Sequence, residues 1–197
     1  MNACKVLELA INYNIEKIIE LAKQEIAENA TKEKHGVSDL KRFKSIVKYL
    51  KCAGECNSRL EKTWIEEDYQ CFTNRYTAFL LKNHFEELPI SEEKIINLHD
   101  YIKKDDCKRQ FTDFDVAGVK AKLKIFKAER KNRQSPCYYD IGKSRYNSQY
   151  LIDCYTILVG KNIKFYQPKG GKLTPSIFES ENGKCIILPV RKPKEEE

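Results

Sequence analysis

The sequence predicts an α+β fold in which helices lie on one face of an antiparallel sheet. Three observations carry the prediction. Residues 2–29 and 39–52 repeat apolar side chains at helical spacing, and residues 60–82 turn to β-branched and aromatic side chains broken by turn formers. Residues 137–191 then read as strand, helix, strand, strand and strand with short connections.

The chain has 197 residues, of which 41% are hydrophobic and 33% charged. A chain of this size removes roughly 70% of its unfolded surface from water, so it needs no metal or disulfide staple to make a core. No apolar run approaches the ~20 residues of a membrane span, and lysines and glutamates stand where a signal peptide would be apolar. The expectation is a cytoplasmic chain without a membrane partner. The eight cysteines include no CxxC pair, only the lone CxxxC of Cys52 and Cys56, and the three histidines lie far from any cysteine pair. Structural zinc uses two close ligand pairs, so the reading is buried, reduced thiols with no metal and no cofactor.

Taken in order, Val6, Leu9, Ile15, Ile18, Ile19, Leu21, Ala22 and Ile26 mark a helix over 2–29. ATKEKHG (30–36) reads as a polar linker, after which Ser38 or Asp39 can cap a second helix through about Cys52. In that helix Leu40, Phe43, Ile46, Val47 and Leu50 fall on one side, with Lys41, Lys44, Lys48 and Lys51 roughly opposite. LEKTWIEEDYQCFTNRYTAFLL reads as a meander turning at Glu67-Asp68 and at Asn74, with Trp64 packed in its core. Residues 83–104 read as a proline-marked loop and a short helix or turn that Ser91 can cap. Over 113–133, VKAKLKI alternates like a strand. The longer stripe of Val116, Val119, Leu123 and Phe126 favours a helix, with Lys120, Lys124, Lys127 and Lys131 on one arc. Next come the strand CYYDIG, the helix SQYLIDCYTILV capped by Asn147 or Ser148 and closed at Gly160, the strand NIKFYQP, and two strands joined across ENG at 181–183.

Charge is uneven along this chain of net charge +7: residues 1–38 are near neutral, whereas residues 101–172 hold 17 Lys/Arg against seven Asp/Glu. Such a local excess suits a polyanion as well as it suits solubility. The sequence contains no nucleophile elbow, P-loop, HExxH or dinucleotide fingerprint, which argues against an enzyme and leaves no catalytic residue to name. The acidic pairs Asp105-Asp106 and Asp113/Asp115, with the lysine-rich surface, leave room for a cryptic nuclease, but solvated loop or capping roles explain them better.

The segments RYNSQYLIDCYTIL, NIKFYQPKGGKLTPSIFE and ENGKCIILPVR together resemble the end of the bacterial and phage-type DNA polymerase sliding clamp, the β clamp. Tyr146-Asn147, Tyr150-Leu151 and Asp153 match that family's short helix. Gly171, Leu173 and Pro175 match its strand entry, and Leu188, Pro189, Val190 and Arg191 its ending. More weakly, CFTNRYTAFL is similar to the family's A-T-D-G-Y/H-R-L turn: Thr73 and Tyr76 fit, while Asn74, Arg75 and Thr77 replace an acid, a glycine and an arginine.

The resemblance implies clamp-like halves at 37–110 and 111–192; the helix and linker over 1–36 have no counterpart in it, and 193–197 is a charged tail. It implies double-stranded DNA held by its phosphates, on Lys41, Lys44, Lys48 and Lys51 and on Lys120, Lys124, Lys127 and Lys131. It also implies docking of short apolar peptides from polymerases or repair proteins against Leu188, Pro189, Val190 and Arg191, with Thr73 and Tyr76 opposite. The proline suggests an edge strand with one side free. One chain is too short to encircle DNA, so a ring would need self-association or pairing with another clamp. The alternative is a clamp-fold adapter, of phage or mobile-element type, that binds or competes for clamp partners without touching DNA.

Overall fold

The computed structural model describes residues 15–35, 37–103, 109–129, 136–160, 162–169 and 174–191. The chain divides into two compact units, Met1–Lys44 and Ser45–Glu197, with the division inside the second described helix.

In the first unit, helix α1 (Ile15–His35) continues to His35 in the stretch expected to be a linker, whose Gly36 lies, like residues 2–14 of the expected first helix, outside the described residues. Ala30, Lys32, Glu33 and Lys34 are good helix formers, and the Thr31 hydroxyl donates to the Ala27 carbonyl at 2.8 Å, so the polar composition marks an exposed helix rather than a loop. Helix α2 (Val37–Gly54) opens before Ser38 and Asp39, which lie in its first turn instead of capping it.

The second unit is built on a seven-stranded sheet in the order β1-β2-β3-β9-β8-β7-β4, every pairing antiparallel. The strands are β1 (Trp64–Glu66), β2 (Tyr69–Thr73), β3 (Thr77–Leu81), β4 (Arg109–Thr112), β7 (Lys164–Pro168), β8 (Ser176–Ser180) and β9 (Gly183–Ile187). A separate hairpin, β5 (Tyr138–Ile141) and β6 (Ser144–Asn147), is tied to the sheet by polar bonds. The Tyr146 hydroxyl meets Ser176 Oγ at 2.7 Å, and Gln167 Nε2 donates to the Ile141 carbonyl at 2.9 Å. β4 and β6 are elements that the sequence patterns leave unpredicted.

Alternation puts Phe72, Phe79, Cys185, Phe178 and Phe165 in one row across five strands. This face is covered by α5 (Ser148–Leu158), by the unit's part of α2 and by the approach to α4 (Val116–Glu129). Tyr49 of α2 stands edge-on to Phe72 and Phe79, Phe114 stands edge-on to Phe178, and Cys154 of α5 touches Cys185. Each buried phenylalanine contributes about 1.5–3 kcal/mol by leaving water, so this row alone anchors the helical layer. The residues 116–129 form the helix that the longer stripe favours, with Val119 and Leu123 buried.

The opposite face is not bare. A short helix α3 (Leu98–Lys103) sets Leu98 and Ile102 against Trp64, Cys71, Leu80, Ile177 and Ile186. Ser91 is not its cap: the Ser91 hydroxyl oxygen accepts from the Glu93 amide, while the Glu66 carboxylate takes the Leu98 and His99 amides. Trp64 is a core residue, 1% exposed.

Two further expectations are corrected. β9 is a central strand between β3 and β8, not an edge, and Pro189 lies beyond its end, where no ladder bond is lost. Of the six described cysteines, Cys71, Cys137, Cys154 and Cys185 are buried, but Cys52, in the last turn of α2, and Cys56, just beyond it, are exposed. No helix among the described residues is long and apolar enough to cross a membrane.

Candidate functional site

β3 and β9 run side by side although they lie about a hundred residues apart, with Thr77 opposite Ile187 and the Leu188 amide donating to the Tyr76 carbonyl at 2.9 Å. This pairing brings the turn after β2 next to the chain's last apolar residues. Thr73, Tyr76 and Leu188 therefore line one groove of about 370 Å³. Buried Ala78, Ile186, Leu60 and Leu98 form its base. Ile95, Ile96, Tyr101 and Pro175 also line it, and Tyr76, Tyr101 and Leu188 are exposed. The volume is that of a small-ligand or side-chain pocket, and the lining is mostly apolar.

The turn at its mouth is self-contained. Asn74 Oδ1 accepts from the Tyr76 amide at 3.0 Å, the Thr77 amide at 2.8 Å and the Thr77 hydroxyl at 3.0 Å. An acid in this place would accept in the same way, so the asparagine preserves the turn's acceptor. Arg75 occupies the left-handed region at φ 78°, the conformation for which a glycine is the natural choice. The Thr77 carbonyl accepts from Thr73 Oγ1 at 2.7 Å, from the Asn74 amide at 3.1 Å and from the Tyr49 hydroxyl at 2.9 Å. The turn is thus tied to α2 beneath it.

Pro189, Val190 and Arg191 do not line the groove. The chain turns toward β6 there, and the Val190 amide donates to the Arg145 carbonyl at 2.7 Å. Pro189 and Val190 are half-buried and Arg191 is exposed. Gly171 and Leu173 lie outside the described residues.

Tyr76 also borders a second groove, of about 500 Å³, between α2 and α5. Its ring stacks on Tyr150 at 5.7 Å, and Lys48, Cys52, Cys56, Gln149 and Asp153 lie around that groove. Burial raises the Asp153 carboxyl above its ordinary value; the Gln149 amide, which donates at 2.9 Å, and the nearby Lys48 and Lys127 offset this only in part. Lys48 of α2 and Lys127 of α4 are thus both near enough to Asp153 to favour its charged form.

The predicted lysines are distributed as follows. In the first unit, Lys41 and Lys44 are exposed, and Lys44 Nζ is ion-paired with Glu28 at 2.8 Å. In the second, Lys48, Lys51, Lys120, Lys124 and Lys127 are exposed. Lys120 Nζ lies 5.6 Å above the Tyr155 ring and Lys127 Nζ donates to Gln149 Oε1 at 3.0 Å, so both lean toward α5. Lys131 lies outside the described residues.

The sequence patterns assign no site role to Ile95, Ile96, Leu98 and Tyr101, which complete the groove. The apolar spacing of IINLHDYI is a visible signal, but a segment so short does not say which surface it covers. Ile186 could be placed there by alternation from Leu188, two residues on.

These features define an α+β unit with helices on both faces of its sheet, contrary to the expectation of one covered face, with an apolar groove beside α3 and lysines along the larger helical layer. No family model, no curated protein and no solved structure matches the chain.

Proposed function

We propose that this chain is a non-enzymatic, sliding-clamp-like tethering protein whose groove beside Leu188 captures a short apolar peptide from a replication or repair protein. One observation carries the reading: Thr73 and Tyr76 of one turn meet Leu188, remote from them in sequence, in a single apolar groove. A groove of this size accepts one or two large apolar side chains, and such anchors supply most of the affinity in peptide recognition. The test is fluorescence anisotropy with a short polymerase-derived clamp-binding peptide. Leu188→Asp places a charge in the rim and is expected to weaken binding at least tenfold, whereas equal binding by wild type and variant would remove the proposal.

The second half of the reading is phosphate-driven contact between duplex DNA and the helical layer. The exposure of Lys120, Lys124 and Lys127 along one arc of α4, with Lys48 and Lys51 on α2, favours it. Contact of that kind weakens steeply with salt and reads no sequence. Lys44→Glu with Lys48→Glu is expected to reduce DNA affinity and flatten its salt dependence without affecting the peptide. Peptide binding by a chain with no measurable DNA affinity would select the adapter form of the proposal.

A further inference from the structure

We propose that Arg75 makes the groove selective for peptides that carry a carboxylate beside their apolar anchors; this rests on the peptide reading above and names the chemistry of the partner. Arg75 is exposed, and it is the one charged residue among the described residues that line the groove. Among the described residues no ion pair or side-chain hydrogen bond occupies its guanidinium. The surrounding bonds fix its backbone and leave the long side chain to reach. Thr73 Oγ1 accepts the Arg75 amide at 3.1 Å, and Asn74 Oδ1 accepts the Tyr76 and Thr77 amides that follow. None of these bonds uses the Arg75 side chain, so the turn itself does not call for an arginine. At φ 78° the backbone suits glycine, whereas a residue with a Cβ is strained there. A strained residue at the edge of a groove points to a use for its side chain.

The number of cations and their setting decide which anion is taken. A nucleic acid needs several cations spaced along its phosphates, and the described lining of this groove offers one. A single carboxylate matches a single guanidinium, whose paired N–H donors can hold both of its oxygens. Most of the remaining lining is apolar, with Leu60, Ala78, Ile95, Ile186 and Leu188 among it. A peptide seated on these residues excludes water from the charge pair, which strengthens it relative to a pair on open surface. An acid beside the anchors therefore adds affinity and a lysine in the same place is repelled, so charge sets the choice of peptide on top of apolar anchoring. Two sources supply the carboxylate: an aspartate or glutamate side chain next to the anchors, or the terminal carboxylate of a peptide that ends there.

Fluorescence anisotropy on the full chain tests this. The probes are the polymerase-derived peptide with glutamate or glutamine at each position flanking its anchors, with a free or an amidated C-terminus. Wild type is expected to bind one acidic form about three- to tenfold more tightly than its neutral counterpart, a margin that shrinks as salt is raised. In Arg75→Gly the margin should disappear while the neutral peptides bind as before, and in Arg75→Glu it should reverse. A margin that follows the free C-terminus instead of a glutamate identifies the terminal carboxylate as the group held. Acidic and neutral peptides are compared on the same protein, so a loss of folding would weaken both alike and cannot imitate the effect. Equal binding of acidic and neutral peptides by the wild type would overturn the proposal, as would a margin that survives in Arg75→Gly. In both of those cases peptide binding that Leu188→Asp weakens leaves the groove reading standing. A wild type that binds none of the peptides removes the groove reading and this one together.

Discussion

The Glu66 carboxylate of β1 accepts the Leu98 amide at 3.2 Å, closing the first turn of α3 from 32 residues away. Its other oxygen takes the His99 amide at 3.1 Å, and the Trp64 indole donates at 3.3 Å. Burial alone would raise this carboxyl, but the three donors outweigh burial and hold it below its ordinary value of 4.5. Glu66→Gln replaces one acceptor oxygen by an amide that faces a donor, so it is expected to cost about 1–3 kcal/mol at pH 7. Because the folded value is depressed, the contribution is fully present above pH 4.5 and is lost as pH falls through the lower folded value. Denaturant midpoints of wild type and variant should therefore converge in acid. Since α3 walls the groove, Glu66→Gln should also weaken peptide capture.

Asp153 runs in the opposite direction. Its folded carboxyl is raised above 3.8, so its neutral form suits the fold; full stability holds below pH 3.8 and declines as pH rises through the raised value. Asp153→Asn keeps an oxygen for Gln149 Nε2 and removes the charge. The variant is expected to have the higher thermal midpoint at pH 7 and to lose that advantage in acid. With Lys48 and Lys127 relieved of a nearby anion, it should also bind duplex DNA more tightly than wild type at low salt. A lower midpoint at pH 7 would contradict the sign of this coupling.

How much of this was legible in the sequence depends on the range of the contact involved. Helix α5 was readable because its cap and its stripe are local: Asn147 Oδ1 accepts the Gln149 amide at 2.9 Å, and Leu151, Cys154, Ile157 and Leu158 are buried at helical spacing. The turns at Glu67-Asp68 and Asn74 were readable for the same reason. The central position of β9 was not, since a strand's own residues do not name its neighbours, and the β3–β9 ladder joins segments far apart in the chain. β4 escaped because its pattern, one buried residue in four, lacks an apolar alternation. Of the groove, Leu188, Thr73 and Tyr76 came from a resemblance in motif. The Ile95–Tyr101 wall is positioned by Glu66, a cap no local pattern announces.

At Arg75 the backbone sits at φ 78°, where a residue with a Cβ pays about 1–2 kcal/mol. Arg75→Gly removes that cost but loosens the unfolded chain by about 0.5–1 kcal/mol. The two nearly cancel, so chemical denaturation should show a change within about 1 kcal/mol, in the stabilising direction. Asn74→Leu is the contrasting change: it deletes an acceptor serving three donors and should cost about 1–3 kcal/mol. If Arg75→Gly proved strongly destabilising, the arginine side chain would have to be holding the turn together.

Cys154 Sγ and Cys185 Sγ lie 3.0 Å apart between α5 and the central strand, both fully buried. Burial raises the Cys154 thiol, and it pushes Cys71 up to about 12. Only the thiolate attacks a disulfide reagent, so Cys154 and Cys71 are protected twice, by sterics and by protonation, and Cys185 is protected by burial. Cys52 and Cys56 are exposed at the end of α2 beside the second groove. In the native protein an aromatic disulfide reagent should label Cys52 and Cys56 at least a hundredfold faster than Cys71, Cys154 or Cys185, as peptide mass mapping would show. Cys154→Ser puts a hydroxyl in place of a weakly polar thiol and is expected to lower stability by about 1–3 kcal/mol, whereas serine at Cys52 should be neutral. Fast labelling of Cys154 under native conditions would mean that α5 opens away from β9 far more often than a packed helix does.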